Sequence, residues 1–290
     1  MIPKILSIGE IIWDVYENEA VIGGAPLNFA AHAKRCGAKS FLISAVGNDA
    51  LGENAIKIIE NLQVDTRFIK TPAFPTGRCE VTLNKSGIPS YNVLNNTAFD
   101  NITLSDDDIE KIKNEGFDAL YFGTLIQRSS VSKAALRILC RACAFKEIIC
   151  DINLRKNCYD KDSVMFCLEN ATILKISDEE EVFLRDMGLY SVKSNDYESI
   201  AKAISKAYKN IKIIAITLGE KGSFVFEVKK QAGFLFCGEK ANVVSTVGAG
   251  DSYTAALCTS LLFGEPLQKA VEKATALSAY VVSHKEAIPI

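Results

Sequence analysis

The chain alternates short, largely apolar runs with longer segments in which apolar residues recur every three or four positions. Runs at 5–8, 40–46, 119–122, 147–150, 172–174 and 211–217 are too short for helices and show no polar alternation. That is the pattern of strands buried on both faces. Between them, 27–36, 52–61, 132–145, 179–186, 197–209 and 253–263 read as helices. Glycines stop some of them, and the acids at 106–108 and 178–181 read as helix starts that complement the helix dipole. The fold class this predicts is α/β, a Rossmann-like sandwich with a mostly parallel central sheet.

Two stretches break the rhythm. Residues 11–22 set Trp13, Val15 and Tyr16 between polar positions. Residues 77–97 alternate through Cys79, Val81 and Leu83, turn at Lys85-Ser86-Gly87, and alternate again through Tyr91 and Val93. This is hairpin patterning with one wet face. Residues 1–290 are therefore expected to form one α/β domain in which segments 11–22 and 77–97 make a small β-sheet lid. Its expected place is the C-terminal edge of the sheet, where open α/β sheets bind ligands.

The totals narrow the function classes. With 290 residues, 48% of them hydrophobic, the chain can bury a large core. A formal net charge of −2 offers no basic surface for nucleic acid. No apolar stretch reaches the roughly 18–20 residues of a membrane span, and the N-terminus lacks the cationic start and long apolar run of a signal peptide. A soluble, cytoplasmic protein is expected. The nine cysteines are scattered. The one CxxC, Cys140 and Cys143, falls inside the predicted helix 132–145, which would put both thiols on one face. With no second pair and no nearby histidine, small buried side chains in a reducing compartment account for it better than a metal or redox role.

No GxxxxGK[ST] occurs, nor a GxGxxG after the first strand, so P-loop and dinucleotide chemistry are unsupported. The only histidines, His32 and His284, leave histidine triads and zinc hydrolase sites equally unsupported. What the chain does contain is Gly248-Ala249-Gly250-Asp251 at the start of a helix. The small residues let backbone N–H groups approach an anion, and the helix N-terminus adds partial positive charge. An aspartate there can take a proton from a hydroxyl while the nest stabilises a phosphoryl group in transit.

Other segments agree with that chemistry. Asp14 follows the first strand, and Gly23-Gly24-Ala25-Pro26-Leu27-Asn28 opens a helix, supplying donors and acceptors suited to the hydroxyls of a polyol. Asp151, Asn153 and Arg155 alternate at a strand exit and would point to one side. An ion pair between Arg155 and Asp151 is the plainer alternative. Lys175, Ser177 and Glu180 follow one buried strand, and Thr217, Gly219 and Gly222 another, where glycines let a nucleotide lie against backbone.

GGAPxN, DxNxR, TLGxKG and GAGD, in that order, resemble the ribokinase-like (PfkB) carbohydrate kinases across essentially the whole chain, most of all the bacterial fructokinase branch. The resemblance implies a Rossmann-like core with a small β lid, and transfer of the γ-phosphoryl group of ATP, with Mg²⁺, to a sugar hydroxymethyl. The best specific expectation is D-fructose to fructose 6-phosphate. It implies Asp251 as base and the amides of Gly248, Ala249 and Gly250 as anion hole. It assigns the sugar to Asp14, Gly24, Asn28, Asp100, Asn153 and Arg155, and the nucleotide to Lys175, Ser177, Thr217, Gly219 and Gly222. Glu180 would be linked to Mg²⁺ through water, and lid positions near Arg78, Tyr91 and Asp100 would close over the sugar.

Three positions depart from the family pattern. Ser245 replaces the acid that helps hold a monovalent cation in many relatives, which argues against K⁺ activation. Ser177 replaces the asparagine of the family's NxxE element, and Phe99 a tryptophan. Kinases of other small polyols (2-keto-3-deoxygluconate, ribose or a nucleoside) and a non-catalytic sugar- or nucleotide-binding regulator are the competing readings. The exposed edges of such a lid allow a homodimer.

Overall fold

The computed structural model describes residues 1–17, 19–83 and 89–289, with side chains omitted at 82–83 and 89–91. The elements run β1 (Lys4–Ile8), β2 (Ile12–Val15), β3 (Ala20–Gly23), α1 (Ala25–Arg35), β4 (Lys39–Ala45), α2 (Ala50–Asn61), β5 (Ile69–Lys70), β6 (Gly77–Leu83) and β7 (Pro89–Val93). There follow α3 (Asp106–Glu115), β8 (Ala119–Phe122), α4 (Ser130–Ala142), β9 (Glu147–Asp151), α5 (Lys161–Asn170), β10 (Ile173–Ser177), α6 (Asp178–Asp186) and α7 (Tyr197–Ala207). The chain ends with β11 (Ile213–Thr217), β12 (Ser223–Glu227), β13 (Ala232–Phe236), α8 (Ala249–Leu262) and α9 (Leu267–Val282).

The central sheet has the order β13-β12-β11-β10-β9-β8-β1-β4-β5. Its strands are parallel except for β12 and β13, which return antiparallel from β11. The chain first builds outward from β1 to β4 and β5, then crosses back to lay β8 on the other side of β1. The strand order therefore reverses between β1 and β8, and the loops leaving their carboxyl ends diverge to open a crevice.

Side chains alternate across the sheet. Leu6 and Ile8 join Leu120 and Phe122 on the face covered by α3–α7, through Ile112, Leu136, Leu168, Leu184 and Ile204. Ile5, Ala119, Tyr121 and Ile149 face α1 and α8, where Phe29 stacks on Tyr121 with ring centroids 3.8 Å apart. The last residues on this second face are polar: Ser7, Tyr121, Asp151 and Lys175, on adjacent strands. The apolar layer thus ends in a polar row at the carboxyl edge of the sheet.

A separate sheet of order β3-β2-β6-β7 is built from the two anomalous segments. β2 and β6 pair in parallel, Asp14 opposite Cys79. The turn expected at Lys85-Ser86-Gly87 and the side chain of Tyr91 lie outside the described residues. The expectation that Cys140 and Cys143 share one helical face is corrected: α4 ends at Ala142, and Cys143 is its extended C-cap. The apolar periodicity continues past 142, but the chain there is already turning into β9.

Candidate active site

Asp251 lies in the first turn of α8, 9% exposed. Gly248 caps this helix with φ 79°, and no side chain caps it, so first-turn N–H groups are left for a ligand. Ala249 is partly committed, donating its N–H to Thr246 O at 3.3 Å. A Cβ on Gly248 would come 2.7 Å from the Ala287 Cβ. The nest therefore requires glycine both for its backbone conformation and for its packing.

Asn28, in the first turn of α1, donates from Nδ2 to Asp251 Oδ2 at 2.8 Å. Burial raises the Asp251 carboxyl above the usual aspartate range, and the Asn28 bond and the charges of Arg155 and Lys175 oppose it. Gly24 caps α1 with φ 114°, and a Cβ there would meet Glu10 O at 2.4 Å. Glu10 Oε1 in turn accepts the Ala25 N–H at 3.1 Å. Glu10 is 5% exposed, and burial pushes its carboxyl to about 7.

Lys175 bridges toward the nest. Its Nζ is 3.1 Å from Asp151 Oδ1, and a Cβ on Gly250 would lie 3.1 Å from the same ammonium. Desolvation disfavours that charge, but Asp151, Glu180 and Asp251 outweigh it and hold the lysine protonated. Asp151 is raised by burial, with Lys175 pulling the other way. Thr254 Oγ1 donates to Asp151 Oδ2 at 3.3 Å. The alternative pairing of Arg155 with Asp151 is not what forms: Arg155 is exposed and, with Glu10, Gly123 and Asn153, lines a narrow cleft at the β1/β8 crossover. Asn153 adopts φ 44° there.

The remaining sequence-derived positions divide. Asp14, in β2, is raised by burial while Cys79 and Arg155 act against that shift. Ser177 and Glu180 form a reciprocal cap on α6, and Glu180 also accepts the Leu154 N–H at 2.8 Å. Thr217 ends β11 and donates to Ile176 O, with Gly219 (φ 59°) and Gly222 (φ 102°) in the turn that follows. Asp100 accepts from Arg128 at both its oxygens, at 2.7 and 2.8 Å. Arg78 and Cys79 are consecutive on β6, so Arg78 projects to the face opposite Asp14.

Sequence reasoning did not single out Glu10, Arg128 or Tyr121. The buried Tyr121 hydroxyl has no hydrogen-bond partner among the described residues. His284 is held by Tyr280, donating from Nδ1 to its carbonyl at 2.8 Å and packing on its ring. Among the described residues no group of three or more His, Cys, Asp or Glu could hold a metal, and no helix is long and apolar enough to cross a membrane.

A buried carboxylate at a helix N-terminus without a side-chain cap, beside a lysine, is an arrangement able to take a proton from a hydroxyl next to a bound anion. Comparison with known proteins gives the class. The model of the pfkB family carbohydrate kinases matches residues 4–290, and the chain belongs to that family. A protein of Pyrococcus horikoshii named as a sugar kinase and still uncharacterized is 30% identical over 89% of this chain and 82% of its own length. A fructokinase of Vibrio alginolyticus is 28% identical over 82% of this chain and 76% of its own. The crystal structure of the Pyrococcus horikoshii sugar kinase in complex with ATP is 28% identical, with a TM-score of 0.81, and covers 98% of this chain and 94% of that one. The protein is thus an ATP-dependent sugar kinase.

Proposed function

We propose that this kinase transfers the γ-phosphoryl group of ATP to the hydroxymethyl of a neutral sugar, D-fructose to fructose 6-phosphate being the specific reading. The observation that carries it is the Asn28–Asp251 hydrogen bond, made beside the anion nest of α8. The 28% identity to a fructokinase supports fructose.

In this reading Asp251 takes the proton of the acceptor hydroxyl, and Asn28 fixes which carboxylate oxygen is free to do so. The first-turn amides of Gly248, Ala249 and Gly250, with Lys175 against Gly250, stabilise charge on the phosphoryl group as it transfers. Asp14, Gly24, Asn28, Asn153 and Arg155 hold the sugar from the crevice side. The turn carrying Thr217, Gly219 and Gly222 receives the nucleotide, with Ser177 nearby. The segments 11–22 and 77–97 act as a lid on a single domain and exclude water from the transfer.

The donor set fits Mg²⁺, which binds one or two carboxylates and completes its shell with water and phosphates. Glu180 would hold it through water, since each of its oxygens already accepts one backbone N–H; bound there, the ion supplies charge neutralisation to the phosphates. Ser245 accepts the Val247 N–H and brings no charge, which supports potassium-independent turnover. β3 and β7 are the edges of the small sheet, where a second copy would pair.

The test is a coupled ADP-release assay over free and phosphorylated sugars, with and without K⁺. The expectation is the highest kcat/KM on D-fructose. Faster turnover of another polyol would replace the substrate, and release dependent only on phosphorylated sugars would overturn the neutral-acceptor reading. Light scattering at increasing concentration tests the dimer.

A further inference from the structure

Arg128 occupies a position that the chemistry above does not use. It ends the short 3₁₀ turn Leu125–Arg128, which follows β8 and begins at the lip of the cleft. Its side chain is 8% exposed and that of Asp100 7%, so this is a buried ion pair away from the base. Burying such a pair costs desolvation that Coulomb attraction recovers only with full hydrogen bonding.

The bonding is full. Arginine carries five N–H donors in a rigid fork. Nε and Nη2 reach the two Asp100 oxygens at 2.7 and 2.8 Å. Nη2 also donates to Leu94 O at 2.6 Å, and Nη1 to Val93 O at 3.4 Å. Nη1 has Cys158 Sγ at 4.0 Å as a weak fifth acceptor. The guanidinium covers the Phe99 ring at 4.6 Å, and Phe99 closes on Gly77, where a Cβ would come within 2.8 Å of its Cδ1.

These partners share a topological property. Gly77 is where the chain enters β6, and Val93 and Leu94 are where it leaves β7. Cys158 closes the turn that starts at Arg155, donating its N–H to Arg155 O at 2.9 Å. Arg128 thus holds the exit of β7 directly, reaches the entry of β6 through Phe99, and touches the loop that carries Arg155 at Cys158.

Resting on the lid reading above, we propose that Arg128 is a positioning residue: it locks the root of the small sheet to the acceptor loops, so that closing the sheet and placing Arg155 are one movement. Arg128 touches neither Asp251 nor the nest. Its loss therefore acts on acceptor capture and water exclusion and leaves nucleotide binding alone.

Two variants test this, Arg128→Lys, which keeps the charge but not the fork, and the neutral pair Arg128→Gln with Asp100→Asn, in case the lysine variant does not fold. The acceptor probe is D-fructose. The expected result is a rise in KM for fructose of about tenfold, the scale of a lost charge-assisted hydrogen bond. The ratio of ATP hydrolysis to sugar phosphorylation should rise, with ATP affinity measured alone within about twofold of wild type. Hydrogen exchange in peptides spanning 77–94 should speed up while 249–262 is unchanged. Folded variants with wild-type KM, hydrolysis ratio and exchange would overturn the proposal, as would equal losses in every parameter. If wild type turns over no fructose, the substrate reading fails, and the exchange measurement still decides the role of Arg128.

Discussion

Asn28 and Asp251 stand 223 residues apart in sequence, and the amide of one donates to the carboxylate of the other at 2.8 Å. Each opens a helix whose N-cap is a positive-φ glycine that brings no capping side chain of its own. The two helix ends to which the proposed function gives the acceptor and the phosphoryl group therefore meet at one hydrogen bond.

Replacing Asp251 with Asn is expected to lower kcat by ~10²–10⁴, the range for a lost general base. Steady-state kinetics with saturating ATP and sugar measure it, and near-normal turnover would remove Asp251 from its role.

Asn28→Ala tests the partner. The Asn28 bond lowers a carboxyl that burial raises, so its loss moves the Asp251 pKa up. Since the base works deprotonated, the acid limb of the kcat–pH profile should move to higher pH. An unmoved limb in a folded variant would show that the bond does not tune the base.

Gly248→Ala places a methyl group 2.7 Å from the Ala287 Cβ at φ 79°. The variant should lose about 1–3 kcal/mol of stability, the scale of local backbone strain, and bind ATP more weakly. Thermal melting and ATP titration read the two effects separately.

Lys175→Met leaves Asp151, 1% exposed, without its cation. Breaking one side of a buried pair costs about 3–5 kcal/mol. Adding Asp151→Asn should recover much of the stability without restoring turnover. Recovery of activity along with stability would mean that Lys175 serves the fold alone.

Glu10 predicts a pH-dependent stability. Its folded pKa of about 7 lies above the ordinary 4.5, so the folded state binds the proton more tightly. The stability this gives is complete below the ordinary pKa and is lost as pH rises through about 7. Its upper bound is about 3 kcal/mol. Glu10→Gln keeps an oxygen for the Ala25 N–H and should flatten the melting-temperature curve between pH 5 and 8. Parallel curves for the two proteins would falsify the assignment.

Six strands of the parallel sheet were legible as apolar runs buried on both faces, whereas the two-residue β5, Ile69–Lys70, is too short to leave such a pattern. β12 and β13 were not foreseen: Ser223–Glu227 and Ala232–Phe236 are joined by a short 3₁₀ turn that carries no hairpin dipeptide. The site was legible where glycines sit beside polar residues, as at 23–28 and 248–251. Glu10 was hidden because its meaning depends on Ala25, and the pairing of Asp100 with Arg128 because the two stand 28 residues apart. A local pattern indicates that a carboxylate is buried or near a turn. Whether it faces a ligand or an arginine is decided by the long-range partner.

The parallel pairing of β2 with β6 joins Ile12 to Gly77, so the small sheet cannot assemble from a local hairpin. Once β1 has paired with β4, the chain between Ile12 and Gly77 is already partly ordered, and the loop-closure cost of joining them falls. In the lid reading, a chain that had paired β1 with β4 but not β2 with β6 would have the crevice without its cover, and sugar affinity would return only with that second pairing.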